Sequence, residues 1–382
     1  MKIDPYKSKE HYTKWKDGCN GTINGLNTNN STILLKFLSD MEIGFNVSKT
    51  TKKGARSYVR LLTLRDKLSF IMRKCNEVHH INDITELNEE QVHMIFTAMQ
   101  NGEIVKTNGK KYKGAGTYIK IFKTFWHWHQ KVSKKRGNDI VDITSDLDTS
   151  EEKPDWVYLT EQEVKKLCDN ARYEYKVLMM FLFDTGIRAP TELMNIKVSD
   201  FYNDFKELNI REEISKTFGR RIKLMISSHI VKEYVQLNAL KREDYLFKKS
   251  PAVTNQYLKR LAKSIFGDKE SPAGQRYSDL TMYDFRHCSC CYWLPRYKSE
   301  SALKYRFGWK KSDKIHYYSE LLGMKDTISE EDMLVDVTKT ELEQRLTKTE
   351  NEKEIMQERM RTMEMQMIRI MELVKHVEVL QK

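Results

Sequence analysis

Proline and cysteine are both scarce in this sequence, which has six of each among 382 residues. Few prolines are compatible with long helices, because proline breaks the interior of a helix. The cysteines lack the even spacing of a disulfide framework in a short secreted domain, so we expect a reducing compartment. They are Cys19, Cys75, Cys168, Cys288, Cys290 and Cys291.

Long apolar runs are also missing. The longest, VLMMFLF at 177–183, is too short to span a bilayer. The N-terminal MKIDPYKSKEHYTKW lacks the apolar core of a signal peptide. These absences predict a cytoplasmic protein that does not use a membrane as its partner.

Acidic residues are absent between Val105 and Arg136, a stretch that contains ten Lys and Arg. A second basic stretch, SKTTKKGARSYVR, covers 48–60, and the whole chain has a net charge of +12. Such stretches neutralise phosphates without reading base sequence, although a solvated charged face is the alternative. Two of them in one region favour nucleic-acid binding. The predicted DNA-binding residues are Lys52, Lys53, Arg56, Lys110, Lys111, Lys113, Lys120 and Lys123.

The apolar pattern divides the chain into regions. Residues 1–30 are polar, with Gly and Asn clusters, and are predicted to be a tail. Residues 31–137 are predicted to be a helical domain, with apolar residues at helical spacing. Its helical segments are ILLKFLSDMEIG, YVRLLTLRDKLSFIMRKC, EEQVHMIFTAMQNG and TYIKIFKTFWHWHQKV. Phe122, Phe125 and Trp126 follow that spacing, which favours a place in the core over base stacking.

An acidic stretch without helical periodicity, at 138–155, predicts an exposed linker. A second, mostly helical domain follows at 156–325, with one β-hairpin over 206–226 that turns near Thr217–Gly219. We therefore expect a mainly α fold with a small β-hairpin or sheet. Residues 330–382 carry apolar residues in alternating steps of four and three, which predicts a self-associating coiled coil. A single amphipathic helix packed on the chain itself is the alternative.

Four segments of the second domain carry groups suited to chemistry at a phosphate. Arg188 follows a turn glycine, and Lys216 lies beside the hairpin turn. Arg286 lies at a helix start, and Tyr318 comes nine residues after Trp309. Arginine holds phosphate oxygens with a planar fork of donors. A tyrosine can attack phosphorus to form an ester that a hydroxyl can reopen.

In these segments the chain resembles the tyrosine recombinase, or phage integrase, family over residues 31–322. Thr185, Gly186 and Arg188 match that family's first arginine motif, and Lys216 fits its hairpin lysine best. Arg220, Arg221 and Lys223 are neighbouring alternatives to that lysine. The spacing from the Phe307–Trp309 segment selects Tyr318 as the family's nucleophile, with Tyr317 as the alternative. Arg286 matches the second arginine, and we interpret the following His287 as a structural hydrogen-bonding residue.

The resemblance implies double-stranded DNA as partner and a 3′-phosphotyrosyl intermediate. It implies that residues 31–136 clamp DNA opposite the catalytic domain, and that four protomers act on two DNA sites. The heptad tail would help to assemble them or would tether a partner. No cofactor or metal is expected, because Arg188, Arg286 and Lys216 supply the positive charge. The Cys288–Cys291 segment has no second pair at zinc spacing, so buried cysteines are expected there.

Three departures mark a divergent member, such as those of archaea or their viruses. Thr191 stands where the family often has a carboxylate three residues after its first arginine, and Glu192 follows one step later. Tyr283 stands where the family usually has a histidine, and Trp309 replaces a second histidine. A phenol is a poor base at neutral pH, and an indole N–H donates but cannot accept. The departures keep two other functions open, a DNA-binding protein that has lost cleavage and an enzyme of the type IB topoisomerase kind. A coiled-coil interaction protein without a DNA role is a third.

Overall fold

The computed structural model describes residues 2–47, 53–106, 109–150, 153, 155–297 and 299–321, together with Met356, Met360 and Met367. The chain divides into two units, Met1–Tyr318 and Ser319–Lys382. The helices are α1 Ser8–Gly18, α2 Thr28–Ile43, α3 Tyr58–His79, α4 Glu89–Asn101, α5 Ala115–Lys134, α6 Glu161–Asp169, α7 Tyr173–Thr185, α8 Ser228–Leu237, α9 Pro251–Phe266, α10 Asp284–Trp293, α11 Glu300–Phe307 and α12 Asp313–Leu321. The strands are β1 Phe201–Tyr202, β2 Glu207–Ile210 and β3 Arg220–Lys223. The predicted mainly helical fold with a small sheet is confirmed.

Helices α2 to α5 coincide with the four helical segments predicted from apolar spacing. Their ends have local causes in the sequence. The Asn88 side chain accepts from the Gln91 N–H, and the Gln91 side chain accepts in return from the Asn88 N–H. This reciprocal cap satisfies two amide groups that a helix start leaves unpaired. Gly44 and Gly102 end α2 and α4 in the left-handed conformation that glycine adopts without strain.

A single hydrophobic cluster runs from Tyr12 to Leu147 and forms the core of the helical region. Helix α5 supplies its largest side chains, with Phe125 fully buried and Trp126 only 2% exposed. Phe37 of α2 meets Phe125 edge-on at 5.5 Å between ring centroids, a favourable aromatic geometry. The predicted core role of the α5 aromatic residues is confirmed.

The polar tail predicted for residues 1–30 is wrong, because α1 and the start of α2 lie there. Tyr12 is 1% exposed, and its ring lies 5.7 Å from the rings of both Trp15 and Tyr58. In α1 only Ser8 and Tyr12 are buried. The buried stripe is therefore too narrow to give α1 a recognisable apolar period among its charged residues.

The linker predicted for 138–155 is not exposed along its first half. Ile143 and Leu147 are 8% and 6% exposed and belong to the first core. The indole N–H of Trp126 donates to the Val141 carbonyl over 3.0 Å. The segment thus packs along α5 instead of spanning open solvent. Both predicted domains lie in the same unit, so the boundary between them stays a prediction.

The predicted hairpin is confirmed in the second region, where β2 and β3 pair antiparallel. Leu208 lies opposite Ile222, and both are buried. Residues 211–219 connect the strands, and their turn lies at 212–214, earlier than the predicted position near Thr217–Gly219. The two-residue strand β1 pairs with β2 to give the order β1-β2-β3, and nothing in the sequence pattern predicted it.

Asp184 lies near the end of α7, is fully buried and connects that helix to two other elements through hydrogen bonds and an ion pair. Its carboxylate accepts the backbone N–H groups of Ile226 and Ser227 over 2.9 and 2.8 Å. It also pairs with the Arg306 guanidinium of α11 at 2.8 Å. Buried charges need such partners, and these bonds fix α7, α11 and the end of the hairpin relative to one another.

None of the helices in the described part of the chain is both long and apolar enough to cross a membrane. The coiled coil predicted for 330–382 lies outside the described residues. The exceptions are Met356, Met360 and Met367, which are helical and exposed.

Candidate active site

Arg188 is positioned by the turn that ends α7. Gly186 has a φ of +57°, and a Cβ there would lie 2.2 Å from Cε1 of Phe307, so only glycine fits. Two residues later, the Arg188 guanidinium donates to Glu192 Oε1 over 2.7 Å and to the Gly308 carbonyl over 2.8 Å. Its side chain remains 14% exposed. The cation is thus held in one orientation with part of its surface open.

Glu192 is fully buried between two arginines, and the second of them is Arg220 of β3. Arg220 Nη2 lies 2.9 Å from Glu192 Oε2, and neither side chain is exposed. Burial by itself raises the pKa of Glu192, but the hydrogen bonds and charges of Arg220 and then Arg188 lower it to about 2. The carboxylate therefore stays ionised and holds both cations. From the sequence, Arg220 was only an alternative to Lys216, and its pairing with Glu192 was not predicted. The four-residue spacing between Arg188 and Glu192 is the one local signal of an ion pair here.

Arg286 lies in the first turn of α10 and is 4% exposed. Its guanidinium donates to the carbonyl oxygens of Gly186 and Phe307, the latter over 2.6 Å. Burial, followed by the charge of Arg188, lowers the pKa of Arg286 to about 10. It remains a cation at neutral pH. The guanidinium groups of Arg286 and Arg188 donate to the carbonyl groups of two adjacent residues, Phe307 and Gly308.

The turn that ends α11 brings the site together. Arg286 donates to the Phe307 carbonyl, while Arg188 and the Thr217 hydroxyl both donate to the Gly308 carbonyl. Gly308 has a φ of +61°, and a Cβ there would lie 2.9 Å from Arg220 Nη1. We call residues 307–309 the convergence turn. It joins both predicted arginines to the hairpin loop that carries Lys216.

Trp309 completes the convergence turn and links it to α12. Its ring stacks on that of Tyr318 with centroids 6.0 Å apart and an angle of 11°. The Arg286 guanidinium lies 5.8 Å from the same indole. The proposed nucleophile and the second arginine therefore contact a common side chain.

Lys216 and Tyr283 lie at the surface of this arrangement. Lys216 is exposed in the β2–β3 loop, next to Thr217. Tyr283 is 47% exposed and immediately precedes α10, three residues before Arg286. Both side chains are exposed, and their roles in the site stay predictions.

The two candidate nucleophiles differ in their surroundings. The Tyr317 hydroxyl accepts from the Trp156 indole N–H over 2.6 Å. The Tyr318 hydroxyl instead lies 2.5 Å from His287 Nδ1, and Tyr318 is 3% exposed. Burial raises the pKa of Tyr318 far above its ordinary value, against the opposing charge of Arg286. Tyr318 is thus covered in this conformation, and its selection by spacing as the nucleophile stays a prediction.

The cysteines of α10 are buried, as expected, with Cys288, Cys290 and Cys291 between 0% and 4% exposed. Burial raises the pKa of each of these thiols. Within the described ranges, no group of three His, Cys, Asp or Glu side chains is placed to hold a metal ion.

The predicted DNA-binding residues of the helical region are mostly at the surface. Lys53, Lys110, Lys111, Lys113 and Lys120 are exposed, and Arg56 is half-buried. Lys113 pairs with Asp155 at 2.6 Å. Half-buried Lys123 donates to the Ser145 carbonyl over 3.2 Å, which indicates a packing role. Lys52 lies outside the described residues.

Comparison with known proteins agrees with this geometry. Residues 157–323 match the model of the phage integrase family. No curated protein sequence matches the chain.

Among solved structures, the lambda integrase dimer bound to a COC' core site has a TM-score of 0.55 and 14% identity, covering 89% of this chain and 85% of that one. The lambda integrase tetramer bound to a Holliday junction has a TM-score of 0.54 and 13% identity, covering 81% and 80%. The Tn1549 transposon integrase in complex with transposon right end DNA has a TM-score of 0.53 and 13% identity, covering 80% and 97%.

At these identities the structures show a shared fold, which extends beyond the region matched by the family model. The family model itself covers the convergence turn, both arginines and the two tyrosines. Residues 157–323 therefore form a domain that matches the phage integrase family, the tyrosine recombinases.

Proposed function

We propose that this chain is a site-specific recombinase that breaks and rejoins double-stranded DNA through a 3′-phosphotyrosyl bond to Tyr318. The observation that carries the proposal is the convergence turn. There, groups from the segment after α7, the hairpin loop and α10 meet on adjacent carbonyls, and Tyr318 stacks on the next side chain. Such fixed cations match the charge that develops on a phosphate during transfer.

In the proposed reaction the Tyr318 oxygen attacks the scissile phosphorus. The new O–P bond forms as the bond from phosphorus to the 5′ oxygen breaks, and Lys216 gives a proton to that oxygen. Arg188 and Arg286 hold the non-bridging oxygens, while Tyr283 and Trp309 donate further hydrogen bonds to them. Attack by a 5′ hydroxyl on the phosphotyrosine reverses each transfer, so the energy of the broken bond is conserved.

The proposed partner is double-stranded DNA, held by the exposed lysines of the helical region and by the site itself. The structures that share this fold include a dimer and a tetramer of lambda integrase bound to DNA. We infer that this chain likewise acts as a homo-oligomer, with four protomers on paired sites. The heptad pattern at 330–382 would add self-association.

The test is covalent capture of DNA. A pool of nicked duplexes of randomised sequence lets the strand released by cleavage diffuse away, so an adduct that resists detergent accumulates. We expect adducts with the wild type and with Tyr317→Phe, and none with Tyr318→Phe. Because both tyrosines lie in α12, Tyr317→Phe is a matched control. Adducts formed by Tyr318→Phe would refute the assignment of the nucleophile.

A second candidate is a DNA-binding protein that uses this fold without cleavage. The burial of the Tyr318 hydroxyl and the presence of Tyr283 in place of a histidine favour it. Salt-sensitive binding of the pool by the wild type, with no adduct on any member, would support this second function. Relaxation of supercoiled plasmid by a monomer, without a specific site, would instead indicate a topoisomerase.

A further inference from the structure

The fold places His287 of α10 within hydrogen-bond distance of the Tyr318 hydroxyl. The oxygen lies 2.5 Å from His287 Nδ1, across 31 residues of sequence. The imidazole is held among aromatic rings, with the Trp156 centroid at 4.7 Å and the Tyr283 centroid at 5.1 Å. A contact between such distant parts of the chain positions the ring against the oxygen that the proposed reaction uses.

That oxygen must lose a proton as it bonds to phosphorus. Tyr318 is 3% exposed, so bulk water is poorly placed to take the proton. Burial raises the pKa of the phenol, which makes a base within the protein more necessary.

The other ionisable groups around Tyr318 are unsuited to this task. Arg286 is a cation and has no site to accept a proton. Burial raises the pKa of the Cys290 and Cys291 thiols, which keeps them protonated. Tyr283 is itself a phenol. A neutral imidazole accepts a proton in the physiological range, and Nδ1 is the atom within reach of the hydroxyl.

We propose that His287 is the proton acceptor for Tyr318 in strand cleavage and returns the proton during rejoining. This rests on the proposed function. The Tyr318 proton moves to His287 Nδ1 as the O–P bond forms, while the Lys216 proton moves to the 5′ oxygen as its bond to phosphorus breaks. Cleavage leaves an imidazolium and a neutral amine. Attack by the 5′ hydroxyl returns one proton to Lys216, and the departing Tyr318 oxygen takes the other from His287.

In the proposed reaction, His287 takes a proton from the attacking oxygen, whereas Lys216 gives a proton to the leaving oxygen. A substrate that changes only the leaving group can therefore distinguish the two residues. A substrate with sulfur in place of the bridging 5′ oxygen has a better leaving group, which needs no acid. On this substrate the cleavage rate of Lys216→Ala should recover towards that of the wild type. His287 variants should remain slow, because the attacking phenol still has to lose its proton.

The informative variant is His287→Asn, whose side-chain oxygen can accept a hydrogen bond near the position of Nδ1 but cannot take the proton. We expect His287→Asn and His287→Ala to form the adduct about 10²–10⁴-fold more slowly than the wild type, on both substrates, with unchanged DNA affinity. If the histidine only positions the tyrosine, His287→Asn should cleave at nearly the wild-type rate. That outcome would overturn the proposal.

The pH profile gives a measurement that needs no variant. Around the imidazole, α10 contributes Tyr283 and Arg286, α12 contributes Tyr317 and Tyr318, and the segment before α6 contributes Trp156 beside Asp155. With the sulfur substrate, wild-type cleavage should slow as the pH falls, because a protonated imidazole cannot accept the Tyr318 proton. A cleavage rate that does not fall with pH over the range in which the protein stays folded would overturn the role of His287 even if its variants fail to fold. Absence of any wild-type adduct would instead refute the proposed recombinase function, and this role with it.

Discussion

The two regions of the first unit bury different chemistry. Up to residue 150, the buried polar side chains that the structure describes are uncharged, such as Asn30, Ser31 and Thr144. The region from 155 to 318 buries charge as well as apolar groups. Its buried charged residues are Asp184, Glu192, Asp200, Arg220, Asp284, Arg286 and Arg306. The helical region therefore has an ordinary apolar core, whereas the second region has a core that also contains ion pairs and buried charged groups.

This difference bears on whether the buried charges stabilise the fold or orient other groups. Replacing a buried ion pair by apolar residues is often neutral or stabilising, whereas removing one partner is strongly destabilising. The pair Glu192–Arg220 is therefore a poor source of net stability. Its position beside Arg188 and the convergence turn indicates that it fixes the direction of the Arg188 guanidinium, which we propose holds a phosphate oxygen. The aromatic cluster around α5, in contrast, contributes to stability through packing alone.

Glu192→Leu should produce the largest effect on stability. It leaves Arg188 and Arg220 without their shared carboxylate, so the free energy of unfolding should fall by about 3–5 kcal/mol in urea titrations followed by circular dichroism. The double variant Glu192→Leu/Arg220→Met should regain most of that stability. It should still form the DNA adduct slowly, because Arg188 then keeps only its bond to the Gly308 carbonyl and lacks the carboxylate that fixes its direction. A double variant with wild-type adduct rates would contradict the distinction between the two regions.

Acid should weaken the same network. Folding lowers the pKa of Glu192 from its ordinary 4.5 to about 2, so the unfolded chain binds the proton first as the pH falls. The resulting stability, on the order of 3 kcal/mol, is present above the ordinary pKa and is lost as the pH falls towards the folded value. Urea titrations at about pH 7, 4 and 3 should show a smaller acid loss in Glu192→Gln than in the wild type. Equal losses in the two proteins would show that the carboxylate is not held as described.

The smallest effect is expected in the helical core. Ile119→Val removes one methylene group from a side chain that is 1% exposed. It should lower the free energy of unfolding by about 0.5–1.5 kcal/mol, measured by the same titration. The rate of adduct formation by the folded protein should not change, since packing in this region does not aim the arginines. A rate that falls along with stability would show that the two cores are coupled.

Apolar periodicity was enough to predict α2 to α5 and the hairpin, because their buried faces repeat at regular spacing. It failed where few residues are buried. Helix α1 buries only Ser8 and Tyr12, and β1 has two residues. In the acidic segment after α5, Ile143 and Leu147 lie among polar neighbours, so the packing of this segment on the core was not predicted.

The candidate site was partly predictable for a related reason. The Thr-Gly-x-Arg turn and the spacing to Tyr318 are local patterns, and the family match covers them. The contacts that orient those groups are not local. Arg220 meets Glu192 across 28 residues, and His287 meets Tyr318 across 31. The spacing of apolar residues does not indicate which of many side chains a buried carboxylate or hydroxyl will contact.

Mapping the covalent bond by mass spectrometry tests the central claim most directly. After cleavage of the nicked pool, the adduct would be digested with nuclease and protease, which leaves a short nucleotide on the attached peptide. We expect a phosphodiester on Tyr318 that carries the 3′ end of the cleaved strand. A nucleotide attached to Tyr317 or to any other residue, or joined through its 5′ end, would contradict it.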